Sequence, residues 1–195
     1  MKQSIKIIHY KAGNIASVRN AFARLGVTLD MAATPGDVST ADKIIFPGVG
    51  HARPAMENLQ ASGLAAALKA FPRPVLGICL GMQLMAGISE EGLTPGLGFF
   101  PGKITRFEPG IKVPHMGWNG VTGLRGPLFK GIPEGSFFYF VHSYYMPQNN
   151  QAIALCDYQV TFAAAAASSN YFGVQFHPEK SGDAGATLIQ NFIDL

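Results

Sequence analysis

"PVLGICLGMQLM", residues 74–85, sets one of the two cysteines in the chain between two glycines, where an apolar run gives way to a helix-like pattern. Val75–Ile78 carries no polar side chain, as expected of a strand covered on both faces in the middle of a parallel sheet. Gly77 and Gly81 flank Cys79 in the form G-x-C-x-G, the thiol counterpart of the nucleophile elbow, in which a sharp strand-to-helix turn lifts a reactive side chain to the sheet edge. Only residues without a Cβ fit where neighbouring backbone comes that close. A buried structural cysteine has no need of them. The turn also sets Cys79 at a helix N-terminus, whose partial positive charge favours a thiolate. Cys156, in "AIALCDYQV", lacks such flanks and reads as core.

On the N-terminal side, strand and helix patterns alternate. "SIKIIHY" reads as a strand. "GNIASVRNAFARLG" reads as a helix, with Ile15, Val18, Phe22 and Leu25 on one face and Gly26 as its stop. "VTLDMAA" and "DKIIF" read as strands, and "AMENLQASGLAAALKAF" as one helix closed by Pro72 and Pro74. This alternation predicts a parallel sheet with right-handed crossovers. Beyond Gly92 the rhythm changes to β-rich segments, "KITRF", "KVPHMGWNGV", "FFYFVHSYYM", "AIALCDY", "TFAAAAAS" and "YFGVQF", expected to be antiparallel, before "AGATLIQNFIDL" closes the chain as a helix. The Ala163–Ala167 run is expected in the core. Residues 1–195 are expected to form one α/β domain, an open mixed, largely parallel central sheet flanked by helices, flavodoxin-like, with antiparallel strands in the second half.

Composition narrows the function. The chain carries 15 Lys+Arg against 12 Asp+Glu, scattered rather than blocked, and no basic stripe with interleaved aromatics, which argues against nucleic-acid binding. No apolar run approaches the ~18 residues of a membrane span, and "MKQSIKIIHY" does not resemble a signal peptide. Two cysteines without framework spacing suit free thiols in a reducing cytoplasm. No His or carboxylate pair has metal-ligand spacing on one helix, so no metal is expected.

Sites in open parallel sheets lie beyond the carboxyl ends of the strands. "PGVG", 47–50, and "GICLG", 77–81, should open on the same edge. A cysteine nucleophile needs a base, and His177 in "FGVQFHPEKSG" stands directly after an apolar strand, followed by Pro178 and Glu179. The proline imposes an extended step that lets the carboxylate reach back to the imidazole. Cys79, His177 and Glu179 then form a triad; His9, His51, His115 and His142 are expected to be structural or on the surface. Acyl transfer also needs oxyanion donors, expected from the backbone N–H of Leu80 and of Val49, the latter in a loop loosened by Gly48 and Gly50.

"FPGVG", "LGICLGMQL" and "GVQFHPEKSG", in that order, resemble the glutamine amidotransferases that use a Cys-His-Glu triad. "GNIASV", "VPHMGWN" at 113–119 and "YFVHSYYMP" at 139–147 further resemble the glutaminase subunits of imidazole glycerol phosphate synthases, over nearly the whole chain. The resemblance implies that Cys79 attacks the glutamine side-chain amide, that His177 shuttles the proton and Glu179 orients it. It also implies that Gly50, Gln83, Ser143 and Tyr144 hold the substrate, with no cofactor. The implied partner is the cyclase of histidine biosynthesis, a (β/α)8 barrel, which receives ammonia through an internal passage. Asn14, Trp118 and Lys180 resemble residues facing that partner. His9 and Lys11 depart from the family pattern, which has Asp before Tyr10 and Gly after it. The rivals are an amidotransferase serving another synthase, a free-standing thiol hydrolase, and a regulatory module that has kept the fold without catalysis.

Overall fold

A computed structural model describes residues 3–10, 14–110 and 112–195. The first half runs β1 (Ile5–Ile8), α1 (Ile15–Arg24), β2 (Asp30–Ala32), α2 (Pro35–Ser39), β3 (Lys43–Phe46), α3 (Ala52–Ala61), α4 (Leu64–Ala70) and β4 (Val75–Ile78). Then follow α5 (Leu80–Leu84), β5 (Ala86–Ser89), β6 (Thr94–Pro95), β7 (Phe100–Arg106), β8 (His115–Thr122) and β9 (Phe137–His142). The chain ends with β10 (Tyr144–Tyr145), β11 (Ala152–Tyr158), β12 (Val160–Ser168), β13 (Tyr171–Val174) and α6 (Gly182–Asp194).

Nine strands make one sheet in the order β2-β1-β3-β4-β13-β12-β11-β8-β9. β2, β1, β3, β4 and β13 are parallel, and every pairing from β12 outward is antiparallel. The expected change from parallel to antiparallel is present, with two corrections: "YFGVQF" (β13) pairs in parallel with β4, and "KITRF", mostly within β7, pairs in parallel with β5. A strand from the end of the chain, β13, returns to pair in parallel beside β4, with Ile78 opposite Val174.

Both faces of the parallel part are covered, which is why β4 is apolar throughout and the strands beside it largely so. Ile45, Leu76 and Ile78 point to one layer with Val18 and Phe22 of α1 and Leu188 and Phe192 of α6. Ile44, Phe46 and Val75 point to the other, with Met56 and Leu59 of α3 and Leu64 and Leu68 of α4. Of the alanine run, Ala163–Ala166 are fully buried and divide between the two layers. Lys43 is buried on β3, where its ammonium binds Gln3 and the carbonyl of Ile193 in the last turn of α6, tying that helix to the sheet.

Two local expectations are corrected, and two further details lie beyond them. The segment from Ala55 to Phe71 is not one helix, because Gly63, at φ +75°, breaks it between α3 and α4. The five-residue α2 forms on a capping box between Thr34 and Asp37. The helix after Cys79 is only five residues long and gives way to β5. "FFYFVHSYYM" is not one strand: β9 belongs to the large sheet, β10 to a small sheet of order β10-β7-β5-β6, and Ser143 lies at the crossing. No helix among the described residues is long and apolar enough to cross a membrane.

Candidate active site

The register of β4 and β13 creates the site. Cys79 follows Ile78, and its N–H donates to the Val174 carbonyl at 2.8 Å, so the turn leaves the sheet beside β13. Its backbone adopts φ +52°, a left-handed conformation that a non-glycine residue takes only under constraint. Both glycines are explained by close approach. A Cβ at Gly77 would stand 2.7 Å from the Met85 sulfur and 2.9 Å from the Met82 nitrogen, and one at Gly81 would run into the Phe46 carbonyl.

Three residues beyond Val174 stands His177, anchored by its N–H to the Tyr139 carbonyl at 2.9 Å and by Phe176, fully buried and stacked on Phe138. His177 is extended, as the following proline requires, and residues Pro178–Lys180 then fold into a single 3-10 turn. That turn brings the Glu179 Oε1 to 2.8 Å from His177 Nδ1. Ser181 closes it, donating from Oγ to the His177 carbonyl and accepting from the Tyr139 N–H. The two side chains are 6% and 1% exposed. Burial opposes charge on the imidazole, but hydrogen bonding and charge from Cys79 and Glu179 outweigh it and push His177 up to about 10. Since Nδ1 is committed to Glu179, Nε2 is the nitrogen left for the thiol.

Cys79 and His177 line one cavity of about 330 Å³ with Val49, Gly50, Leu80 and Gln83. His142, Ser143, Tyr144, Glu91 and Lys180 add to its polar wall. The sequence-derived candidates thus meet in one place. Leu80 opens α5, and the first N–H groups of a helix have no intrahelical partner. Gln83 Nε2 donates to the Tyr144 carbonyl at 2.8 Å and to Gln175 Oε1 at 3.0 Å. Both its hydrogens are used, so only Oε1 remains to meet a ligand.

Three contributors escaped the sequence reading. Glu91, in a glycine-rich loop, faces the cavity while its Oε2 accepts from the Ala52 N–H at the start of α3. Gln175, fully buried, points Nε2 at the Cys79 sulfur at 3.8 Å; its position two residues before His177, just past an apolar strand, was the available signal. Tyr10, buried, donates to the Pro47 carbonyl at 2.7 Å and so braces the "PGVG" loop, its hydroxyl held well above its usual range by burial and then by Cys79. His142, expected to be structural or on the surface, is buried and lines the cavity. Elsewhere, His9 and His51 are exposed, His115 is buried, and Cys156 is buried with its thiol pushed up to about 12 by burial and Asp157. Asn14 caps α1, accepting from Ser17; Lys11 lies outside the described residues. Among the described residues no cluster of His, Cys, Asp and Glu could hold a metal ion.

A family model described as glutamine amidotransferase class-I matches residues 6–195. The imidazole glycerol phosphate synthase subunit HisH of Bacteroides fragilis is 48% identical over 98% of this chain and 99% of its own length. The subunit of the same name from Haemophilus influenzae is 47% identical over 98% and 97%. The chain belongs to the class-I glutamine amidotransferases, among the HisH subunits. In fold, this amidotransferase matches a solved glutamine amidotransferase with a TM-score of 0.76 at 14% identity, covering 97% of this chain and 97% of that one. It also matches PurLQS of Thermotoga maritima, at 0.72 and 16% identity over 100% and 99%.

Proposed function

We propose that this chain hydrolyses L-glutamine by thioester catalysis and is the glutaminase subunit of an imidazole glycerol phosphate synthase, releasing ammonia to a cyclase partner in the cytoplasm. The observation that carries this is the buried His177, bonded to Glu179 through Nδ1 and set against Cys79 in a cavity the size of a small metabolite site. The Cys79 sulfur attacks the side-chain amide carbon of glutamine. The oxyanion that forms is met by the N–H groups of Leu80 and Val49, with Gly50 free to shape the loop. Protonated His177 gives its Nε2 proton to the leaving nitrogen, the C–N bond breaks, and ammonia departs. Water then attacks the thioester as His177 takes its proton, and the C–S bond breaks to give glutamate and the starting thiolate. Glu179 holds the tautomer throughout.

The substrate is a zwitterion. The Glu91 carboxylate suits its α-ammonium, and Ser143, Tyr144 and Gln83 Oε1 supply further polar contacts. On the same side, Met116, Trp118 and Phe137 are 54%, 55% and 61% exposed, an apolar patch of the kind that marks a protein interface. Trp118 packs edge-on against Tyr139, over which Lys180 also sits. This patch, with Asn14, is the face assigned to the cyclase barrel. The test is glutamate release, alone and with a cyclase and its nucleotide ligand, by wild type and Cys79→Ala. Activity is expected only in the wild type, rising with the partner; equal rates would eliminate the thioester route.

A further inference from the structure

In the cavity wall, His142 bonds to a second buried histidine, His115, and the proton positions along their chain are determined by its ends. His142 Nδ1 lies 2.8 Å from the Tyr144 carbonyl, which can only accept, so Nδ1 carries the hydrogen. Its Nε2 is then an acceptor, and His115 Nδ1, 2.9 Å away, must donate to it. The remaining His115 nitrogen faces Asn119 Nδ2 at 3.3 Å. Asn119 is itself fixed in orientation, because its Nδ2 donates to the Asp157 carbonyl at 3.0 Å and its Oδ1 accepts from the Gly120 N–H. Every bond therefore runs one way, from β8 at Asn119 through His115 and His142 to the backbone at Tyr144.

Both rings are neutral. Burial pushes His115 down to about 4, and burial, with the charges of His115 and His177 nearby, pushes His142 to about 3 against the bond to Tyr144. The pair is also clamped by aromatic rings: His115 stacks on Tyr158 at 3.9 Å and on Phe140 at 4.8 Å, and His142 abuts Phe107 and Phe162. A hydrophobic pair would pack there with no polar group to satisfy, so packing alone does not account for two histidines. The polar end of the chain lies where the backbone leaves the large sheet for the small one at Ser143, and the Tyr144 carbonyl receives a second bond from Gln83.

We propose that His142, held in one tautomer by His115, is a positioning residue that fixes the Ser143–Tyr144 segment for glutamine binding. This rests on the glutaminase assignment and on Ser143 and Tyr144 meeting the substrate. The chain links the strand carrying Trp118 to the glutamine pocket through three side chains and the Tyr144 carbonyl, and both ring nitrogens of His142 are engaged within it.

The test is steady-state glutaminase kinetics, with the cyclase partner present, of His142→Phe, His142→Gln and His115→Phe. For His142→Phe the KM for glutamine is expected to rise about tenfold, the scale of a lost buried hydrogen bond, with kcat changed less than about threefold. His142→Gln, which keeps a donor and an acceptor, is expected to recover most of that loss. His115→Phe should move KM in the same direction, so the outcome does not hang on one variant folding. Nitrogen NMR of the wild type at pH 7 should show Nδ1–H tautomers for both rings. An unchanged KM in the phenylalanine variants, a glutamine variant as impaired as His142→Phe, or an Nε2–H tautomer at His142 would overturn the proposal. Retained activity in Cys79→Ala would instead overturn the assignment beneath it.

Discussion

The backbone of Gly81 meets the end of β3 so closely that a Cβ there would stand 1.9 Å from the Phe46 carbonyl oxygen. That contact braces the turn carrying Cys79 against the strand leading into the "PGVG" loop, so Cys79 and the loop proposed to supply an oxyanion donor share one support. In Gly81→Ala either the strands part or Cys79 moves. We expect a loss of at least about 2 kcal/mol in urea unfolding, together with slower alkylation of Cys79 by iodoacetamide. Gly36→Ala is the control: its nearest neighbour is the Thr34 hydroxyl at 3.7 Å, and being within a helix the change should be neutral or mildly stabilising. Unaltered stability and reactivity in Gly81→Ala would mean that the turn does not depend on this contact.

The shifts at three histidines predict that their contribution to stability peaks near pH 6.5. His115 and His142 are neutral when folded, at about 4 and about 3 against an ordinary 6.5. Between those values the unfolded chain binds more protons, so stability falls as the pH drops below about 6.5. His177 is the opposite case. Its folded value of about 10 lies above 6.5, so its contribution is complete below about 6.5 and is lost as the pH rises through about 10. Urea unfolding across this range should show both limbs. His142→Phe should flatten the acid limb, and Glu179→Gln, which removes the charge supporting the imidazolium, should draw the alkaline limb to lower pH. A wild-type profile that is flat from pH 4 to 10 would contradict these assignments.

The parts of the site carried by adjacent residues were legible. Two glycines announce the turn at Cys79, and Pro178 announces the step that sets Glu179 on His177. What joins them, β13 lying parallel beside β4, is a pairing of strands remote in sequence and leaves no local trace. The helix expected over Ala55–Phe71 misled because both α3 and α4 bury apolar faces in the same layer, so the periodicity carries on through Gly63. The strand break at Ser143 was hidden for a related reason, since the apolar character continues while the chain changes sheets. Glu91 could not be found at all: a carboxylate among glycines looks solvated until the fold turns it toward the cavity.

Glu91 has two tasks that one substitution can separate. Its Oε2 accepts from the Ala52 N–H at 2.7 Å, and the side chain lines the cavity. Glu91→Gln keeps an acceptor for α3 but removes the charge that would meet the substrate ammonium. We expect the KM for glutamine to rise about tenfold or more with kcat little changed and thermal stability preserved, because a hydrogen bond to a charged group is worth about 1.5–3 kcal/mol. An unchanged KM would remove Glu91 from the substrate site.

Trp118 tests the proposed partner face. It is 55% exposed on β8 between Met116 and Asn119, and its ring touches Tyr139 edge-on at 6.1 Å between centroids. Nothing in that contact requires a tryptophan for folding, since the ring is only half covered by its own chain. Exposed aromatic side chains at the centre of an interface carry a large share of binding energy, typically 2 kcal/mol or more when truncated. Trp118→Ala is therefore expected to weaken association with the cyclase by roughly thirtyfold or more in titration calorimetry, while urea unfolding of the free chain shifts by less than about 1 kcal/mol. Lys180→Ala, which removes the cation above the same Tyr139 ring, should slow association most at low salt. If Trp118→Ala bound the cyclase as tightly as the wild type, the patch of Met116, Trp118 and Phe137 would not be the docking face.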